Sequence, residues 1–105
     1  MERGQRHLRF LDPADEYLKN LPDSEQAMID ADTETMRLGE ESHVKTKQLR
    51  GPIRELVAGN HRITYFTLGT TIYFVRGFRK KSTKTPRDEI EYAEKIYKSL
   101  KQAHP

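Results

Sequence analysis

The middle of the chain concentrates cationic side chains around a single acid. Residues 43–87 contain eleven Lys and Arg but one carboxylate, Glu55, whereas residues 1–42 carry five Lys and Arg against eleven Asp and Glu, and residues 88–105 carry three against four. Clustered cations of this kind bind polyanions, and they supply most of the affinity in non-specific nucleic-acid binding. The segment therefore predicts a nucleic-acid partner, and the alternative is a solvated basic face without a ligand.

Two parts of this segment are best suited to hold phosphate. Arg62 is the first, because a guanidinium stays charged and can bind two phosphate oxygens together. The second is the run Arg79–Lys84, which follows a predicted strand and precedes a typical helix start with Thr85 as cap and Pro86 in the first turn. For Arg62 the alternative is a surface ion pair with an acid of a helix, a common and weak interaction.

Alternating apolar runs on either side of Gly69-Thr70 predict a β-hairpin that positions both groups. The strands His61–Leu68 and Thr71–Phe78 would be joined by a two-residue primed turn in which Gly69 has a positive φ. A two-residue loop fixes the register. The predicted cross-strand pairs are Leu68 with Thr71, Phe66 with Tyr73, Thr64 with Val75, and Arg62 with Gly77.

This register places Arg79 on the same face as Arg62. It also leaves room for a ligand phosphate beside Arg62, because Gly77 has no side chain. His61 lies on the opposite face and is expected to be structural, whereas a one-residue slip of the register would exchange the two faces. The predicted core residues of the opposite face are Ile63, Tyr65, Ile72, Phe74 and Phe78.

The rest of the chain predicts three helices and two further strands. Asp12-Pro13 starts a helix through Asn20, a second helix runs from Asp23 or Ser24 to Leu38, and a third follows Thr85. The inner side of the second helix is predicted to carry Ala27, Met28, Ala31, Thr35 and Leu38, and its solvent face Glu25, Asp30, Asp32 and Glu34. The third helix would pack on the sheet through Ile90, Ala93, Ile96, Tyr97 and Leu100. The strands are Arg6–Leu11 and Ile53–Val57, with an extended stretch near Val44–Leu49.

Together these elements predict an α+β fold. Their order is β-α-α-β-β-β-α, in which a small antiparallel sheet has helices on one side. With 105 residues, 34% of them hydrophobic, the chain is expected to form a single domain over residues 1–105.

Composition argues against a membrane, a metal and a cofactor. No apolar run approaches the ~20 residues that span a bilayer, and the N-terminus lacks the apolar region of a signal peptide, so a cytoplasmic location is predicted. The chain has no Cys, and its four His are scattered without ligand spacing. We therefore expect no metal site and no cofactor.

The stretch GPIRELVAGNHRITYF, with IYFVRGFRKKSTKTPRDEIEYA after it, resembles the HigB-type toxins of the RelE/ParE superfamily, in their phage-derived branch. The resemblance covers Leu49–Ala93. It implies a RelE-like fold and a ribosome-dependent mRNA endonuclease of a type II toxin–antitoxin module, which would inhibit translation. The implied partners are mRNA, the ribosome and a HigA-like antitoxin with a helix-turn-helix domain. Two alternatives remain: a ParE-like inhibitor of DNA gyrase, and a basic nucleic-acid-binding module without activity.

For metal-independent RNA cleavage, the candidate catalytic residues are Arg62, Glu55, Lys80 and Lys81. Arg62 corresponds to the arginine in the superfamily's G-x-x-R-I/L-x-Y stretch and would stabilise the phosphate, while a lysine would protonate the leaving oxygen. Glu55 would act as a base, or orient Arg62 or Arg54 through an ion pair. The predicted RNA-binding residues are Arg50, Arg54, Arg76, Arg79, Lys84 and Tyr73. Many relatives have His where this chain has Arg76, so a proton-transfer role of that His is vacant or moved here.

Overall fold

A computed structural model describes residues 4–103 of the chain. His104, one of the four scattered histidines, lies outside this range. The described residues form a five-stranded sheet of strand order β1-β5-β4-β3-β2 together with three α-helices. The elements in chain order are β1 His7–Phe10, α1 Asp12–Lys19, α2 Asp23–Arg37, a 3-10 turn Glu41–His43, β2 Thr46–Arg50, β3 Ile53–Ala58, β4 His61–Leu68, β5 Thr71–Arg79 and α3 Arg87–Ala103.

The α+β class is confirmed, with two differences in detail. The extended stretch near Val44–Leu49 is a full edge strand, β2, which pairs antiparallel with β3. Strand β1 pairs parallel with β5, so the sheet is mixed and not wholly antiparallel. None of the described helices has the length and apolar character needed to cross a lipid bilayer.

Helices cover both faces of the sheet, so the prediction of helices on one side is wrong. Helices α1 and α2 pack on one face, where the buried cluster includes Leu18, Ile29 and Phe74. Helix α3 packs on the other face through a second cluster that contains Phe66 and Ala93. The central strand β4 is buried on both faces over Ile63–Phe66, and strands buried on both faces read as apolar runs without clear alternation. The predicted packing residues of α3 are confirmed for Ala93, Ile96, Tyr97 and Leu100.

Helix α2 presents a different face to the sheet from the one predicted. Ile29, Thr33 and Met36 are its buried residues, whereas Met28 is 40% exposed. These buried residues recur at intervals of four and three positions, so the helix packs through the face that carries Ile29 and Met36. Glu25, predicted to face solvent, is half-buried and contacts the sheet.

The β4–β5 hairpin contains a bulge that changes which side chains share a face. The turn is as predicted, with Gly69 at φ 61°, and Leu68 and Phe66 pair with Thr71 and Tyr73. Beyond them Tyr65 pairs with Phe74 but Thr64 pairs with Arg76, which leaves Val75 as an extra residue. An extra residue reverses the alternation of every residue after it.

The bulge overturns the predicted neighbours of Arg62. Phe78 pairs with Arg62, and Gly77 pairs with Ile63. Gly77 therefore faces α1, where a Cβ atom would lie 2.3 Å from Cδ2 of Tyr17. The absent side chain at Gly77 makes room for the Tyr17 ring, and it does not make room for a phosphate beside Arg62. Phe78, predicted for the core, moves to the Arg62 face for the same reason.

We expect Gly77→Ala to destabilise the protein by about 1–3 kcal/mol, the usual cost of overpacking a well-packed site. The new methyl group cannot fit unless the Tyr17 ring moves. The free energy of unfolding in urea would measure the effect. Gly4→Ala is the matched control, since a Cβ at Gly4 has no atom within 4 Å. Equal stability of the two variants would contradict the packing described here.

Candidate functional site

A cleft of about 310 Å³ opens between the sheet and the loop that joins β5 to α3. Its sheet side is built from two rows of side chains that share a face. One row contains Lys47 and Glu55, and the other contains Val57, Arg62 and Phe78. The remaining lining residues are Lys45, Thr46, Lys80, Lys81, Ser82, Thr83, Lys84, Thr85 and Pro86. Among residues 4–103, Glu55 is the single acid that lines this cleft.

Arg62 is held at the base of the cleft by main-chain carbonyls of the β3–β4 turn. Its Nη1 donates to the carbonyl oxygens of Gly59 at 2.7 Å and His61 at 2.9 Å. Its Nε lies 3.9 Å from Oε2 of Glu55, and its side chain is 13% exposed. In the described part of the chain no protein acceptor lies within hydrogen-bond distance of Nη2. That group is therefore available to a ligand, and the alternative of an ion pair between Arg62 and a helix acid is not found within residues 4–103.

Glu55 is almost completely buried, with 2% of its surface exposed. The hydroxyl of Thr85 donates to its Oε1 at 2.7 Å, and Arg62 faces its Oε2. Arg54, the other predicted partner of Glu55, points to the opposite face of the sheet, where it donates to the hydroxyl groups of Tyr65 and Thr46. The geometry thus assigns Glu55 to Arg62.

The β5–α3 loop brings three lysines to the cleft. Lys80, Lys81 and Lys84 all line it. The amide of Lys80 donates to the carbonyl of Asn60 at 2.7 Å, which attaches the start of the loop to the β3–β4 turn. Further along, the hydroxyl of Ser82 donates to the carbonyl of Lys84 at 2.8 Å. The lysine side chains therefore extend from a loop whose backbone is held at the cleft.

Five of the ten predicted site residues line the cleft and five do not. Those in the cleft are Arg62, Glu55, Lys80, Lys81 and Lys84. Those that lie elsewhere are Arg50, Arg54, Arg76, Arg79 and Tyr73.

The residues outside the cleft have protein partners of their own. Arg50 binds Glu94 of α3 with two hydrogen bonds, and these lower the pKa of Glu94. Arg76 binds Glu89 at 2.8 Å and lies over the ring of Tyr92. Tyr73 stacks on Phe66 in the cluster beneath α3.

Arg79 lies on the face opposite to Arg62, so its predicted place beside Arg62 is wrong because of the bulge. Its Nη2 is 3.8 Å from Glu25. Glu25 also contacts Nε2 of the buried His61 at 2.5 Å, and the Nδ1 of His61 is 2.7 Å from the hydroxyl of Tyr17. His61 thus joins α1 and α2 to the start of β4, which agrees with a structural role. Burial raises the pKa of Tyr17.

Several residues that line the cleft were not predicted as site residues, among them Lys45, Lys47, Phe78 and Thr85. The alternation Lys45-Thr46-Lys47 could have indicated two lysines on one face of a strand. Its pairing with β3, which places Lys47 opposite Glu55, is a long-range contact that the local pattern does not specify. Phe78 was misplaced by the bulge, and Thr85 was expected to cap α3.

The family to which the chain belongs follows from its sequence. A family profile described as "Phage derived protein Gp49-like (DUF891)" matches residues 16–98. The chain belongs to this Gp49-like family. The matched span contains every residue that lines the cleft. No curated protein matches the chain.

Solved structures of RelE-containing complexes share the fold of this Gp49-like protein. A chain of the archaeal RelE-RelB complex from Pyrococcus horikoshii OT3 matches 75% of this chain and 99% of its own length, with a TM-score of 0.65 and 10% identity. A chain of the toxin–antitoxin complex RelBE2 from Mycobacterium tuberculosis matches 72% of this chain and 99% of its own length, with a TM-score of 0.61 and 22% identity. A chain of the RelB-RelE antitoxin–toxin complex from Methanococcus jannaschii matches 92% of this chain and 99% of its own length, with a TM-score of 0.59 and 19% identity. The predicted RelE-like fold is confirmed.

Proposed function

We propose that the protein is the toxin of a type II toxin–antitoxin module, of HigB type, and that it cleaves mRNA on the ribosome without a metal ion. The observation that carries this proposal is the cleft, in which Arg62 and five lysines from two separate parts of the chain surround one space. Such a concentration of cations favours an RNA backbone as the ligand. The RelE-like fold supports the same assignment, and the toxin would act in the cytoplasm.

Cleavage by this cleft would use the 2′-hydroxyl of the RNA as nucleophile. The 2′-oxygen attacks the adjacent phosphorus and gives up its proton to a water molecule, the bond to the 5′-oxygen breaks as that oxygen receives a proton, and a 2′,3′-cyclic phosphate is formed. Arg62, through its Nη2, would stabilise the additional negative charge on the phosphate. Lys80 and Lys81 are the candidates for protonating the 5′-oxygen, and Lys84 with Lys45 and Lys47 would bind flanking phosphates.

Of the two roles predicted for Glu55, general base and orientation of an arginine, the second is the one that we propose. A base must reach the 2′-hydroxyl, and a carboxylate with 2% exposure has little access to a ligand. Its bond to Thr85 and its position beside Nε of Arg62 instead make it a group that helps to orient the guanidinium, together with the two carbonyls that bind Nη1.

Primer extension on an mRNA translated by purified ribosomes tests the proposal. Discrete cuts that require both the protein and translation are the expected result, and chelation of metal ions should leave them unchanged. Gyrase-dependent breaks in DNA would instead assign the protein to the ParE-like inhibitors. If the protein binds RNA but makes no cut in it, the protein is a basic nucleic-acid-binding module without activity. A small helix-turn-helix protein that copurifies and abolishes the cuts would identify the antitoxin partner.

A further inference from the structure

Thr85 occupies an unusual position, because its hydroxyl bonds to a buried charge instead of a helix end. The sequence Thr85-Pro86-Arg87-Asp88 is typical of an N-terminal cap, in which the threonine oxygen accepts from a main-chain amide. In the structure that hydroxyl donates to Oε1 of Glu55 at 2.7 Å. The first turn of α3 begins with bonds from the amides of Glu89 and Ile90 to the carbonyl of Pro86.

This hydrogen bond matters to Glu55 because a buried carboxylate has few ways to be satisfied. Burying a charge is costly unless it is paired and hydrogen-bonded. Within residues 4–103, Thr85 is the one side chain that donates a hydrogen bond to the carboxylate of Glu55, and Arg62 is the one cation that forms an ion pair with it, at the longer distance of 3.9 Å. The Thr85 hydroxyl therefore determines how the carboxylate is turned toward Arg62.

The same bond fixes the end of the lysine-bearing loop. The amide of Lys80 holds the start of the loop to the β3–β4 turn, and the hydroxyl of Thr85 holds its end to β3. The residues between these two attachments include Lys81 and Lys84. One hydroxyl thus links the loop, the buried acid and the arginine.

We propose that Thr85 is a positioning residue of the cleft: it holds Glu55, and through Glu55 it sets the Arg62 guanidinium and the lysine loop for phosphate binding. This inference rests on the proposed function for its cleavage readout. Its binding readout does not depend on cleavage, and it requires only that the cleft binds an anionic single strand.

The test compares Thr85→Val, which keeps the shape but removes the hydroxyl, with Thr85→Ser, which keeps the hydroxyl. The ligand is a 2′-O-methylated RNA octamer, which lacks the attacking hydroxyl and cannot be cut. Because this hydrogen bond lies within the protein, its loss weakens binding only by the cost of ordering Glu55 and the loop again in the complex. We expect a loss of about 10-fold for Thr85→Val, below the roughly 100-fold that corresponds to the full value of a hydrogen bond to a charged group. Thr85→Ser should remain within about threefold of the parent protein because it can still donate. In the ribosome assay, the rate of cutting should follow the same order.

A second comparison separates positioning from simple support of the fold. In a Glu55→Leu background the acceptor is gone, so the further change Thr85→Val should have little additional effect on octamer binding. If the fold-losses of octamer affinity caused by Glu55→Leu and Thr85→Val multiply in the double variant, the proposal is overturned. Equal losses of affinity in Thr85→Ser and Thr85→Val would also overturn it. If the parent protein binds the octamer but does not cut mRNA, the proposed function fails, whereas the octamer series still decides the role of Thr85.

Discussion

Replacing Arg62 with Ala is expected to abolish mRNA cleavage and growth arrest while the protein stays folded. Arg62 supplies the guanidinium at the base of the cleft, and its Nη2 is available to a phosphate. Loss of one group that stabilises transition-state charge typically lowers a rate by about 10²- to 10³-fold. Loss of the two carbonyl bonds of Nη1 and of the ion pair with the buried Glu55 should cost roughly 3–5 kcal/mol of stability. That is less than the stability of a typical domain. Primer extension gives the rate, and urea unfolding gives the stability.

Two further variants make this prediction specific. Arg62→Lys keeps the charge but cannot form the forked contacts of a guanidinium, so it should recover only a small part of the rate. Arg50→Ala removes an arginine that binds Glu94 outside the cleft, and it should leave the rate unchanged. Full cutting by a folded Arg62→Ala protein would exclude Arg62 from the site.

The triple variant Lys80→Ala, Lys81→Ala, Lys84→Ala is expected to show the largest loss of RNA binding. At about 1 kcal/mol for each exposed ammonium–phosphate contact, affinity should fall roughly a hundredfold. Three lost contacts to a single strand should also reduce the slope of log K against log salt by about 2. Titration of the methylated octamer at several salt concentrations measures both quantities.

Helix α3 provides a matched control with the same change of charge. Lys95, Lys98 and Lys101 are exposed on α3 and do not line the cleft. Their replacement by Ala should change affinity and salt slope far less than the loop variant does. Similar losses from the two triple variants would show that net charge, and not the cleft, governs binding.

The parts of the fold that sequence predicted correctly are those set by local patterns. The turn at Gly69, the limits of α1 and the packing face of α3 follow from residue spacing within one element. Three of the five predicted site residues found in the cleft, Lys80, Lys81 and Lys84, come from one short basic run. These residues were gathered by sequence proximity, so the prediction did not need tertiary structure.

The errors arose where one element must be placed against another. Val75 has an ordinary strand residue on each side, and nothing in the local pattern marks it as the site of a bulge. Arg50, Arg54 and Arg76 were grouped with Arg62 by charge alone, but each has a partner elsewhere in the fold. The contribution of β2 to the cleft depends on its pairing with β3, a contact between strands that the periodicity of either one does not encode.

The extra residue in β5 also determines which changes in the length of that strand the cleft can tolerate. Deleting one codon at Val75 would restore simple alternation while leaving Gly77 toward α1 and Phe78 toward the cleft, because the pairs Tyr65–Phe74, Thr64–Arg76 and Ile63–Gly77 would then follow one another without a break. The segment from Arg76 onward would keep its present faces, and the lysine loop would still leave β5 beside Arg62. A one-residue deletion between Arg76 and Arg79 removes a paired residue instead, so it would reverse the faces of the residues after it and turn the start of the lysine loop away from Arg62.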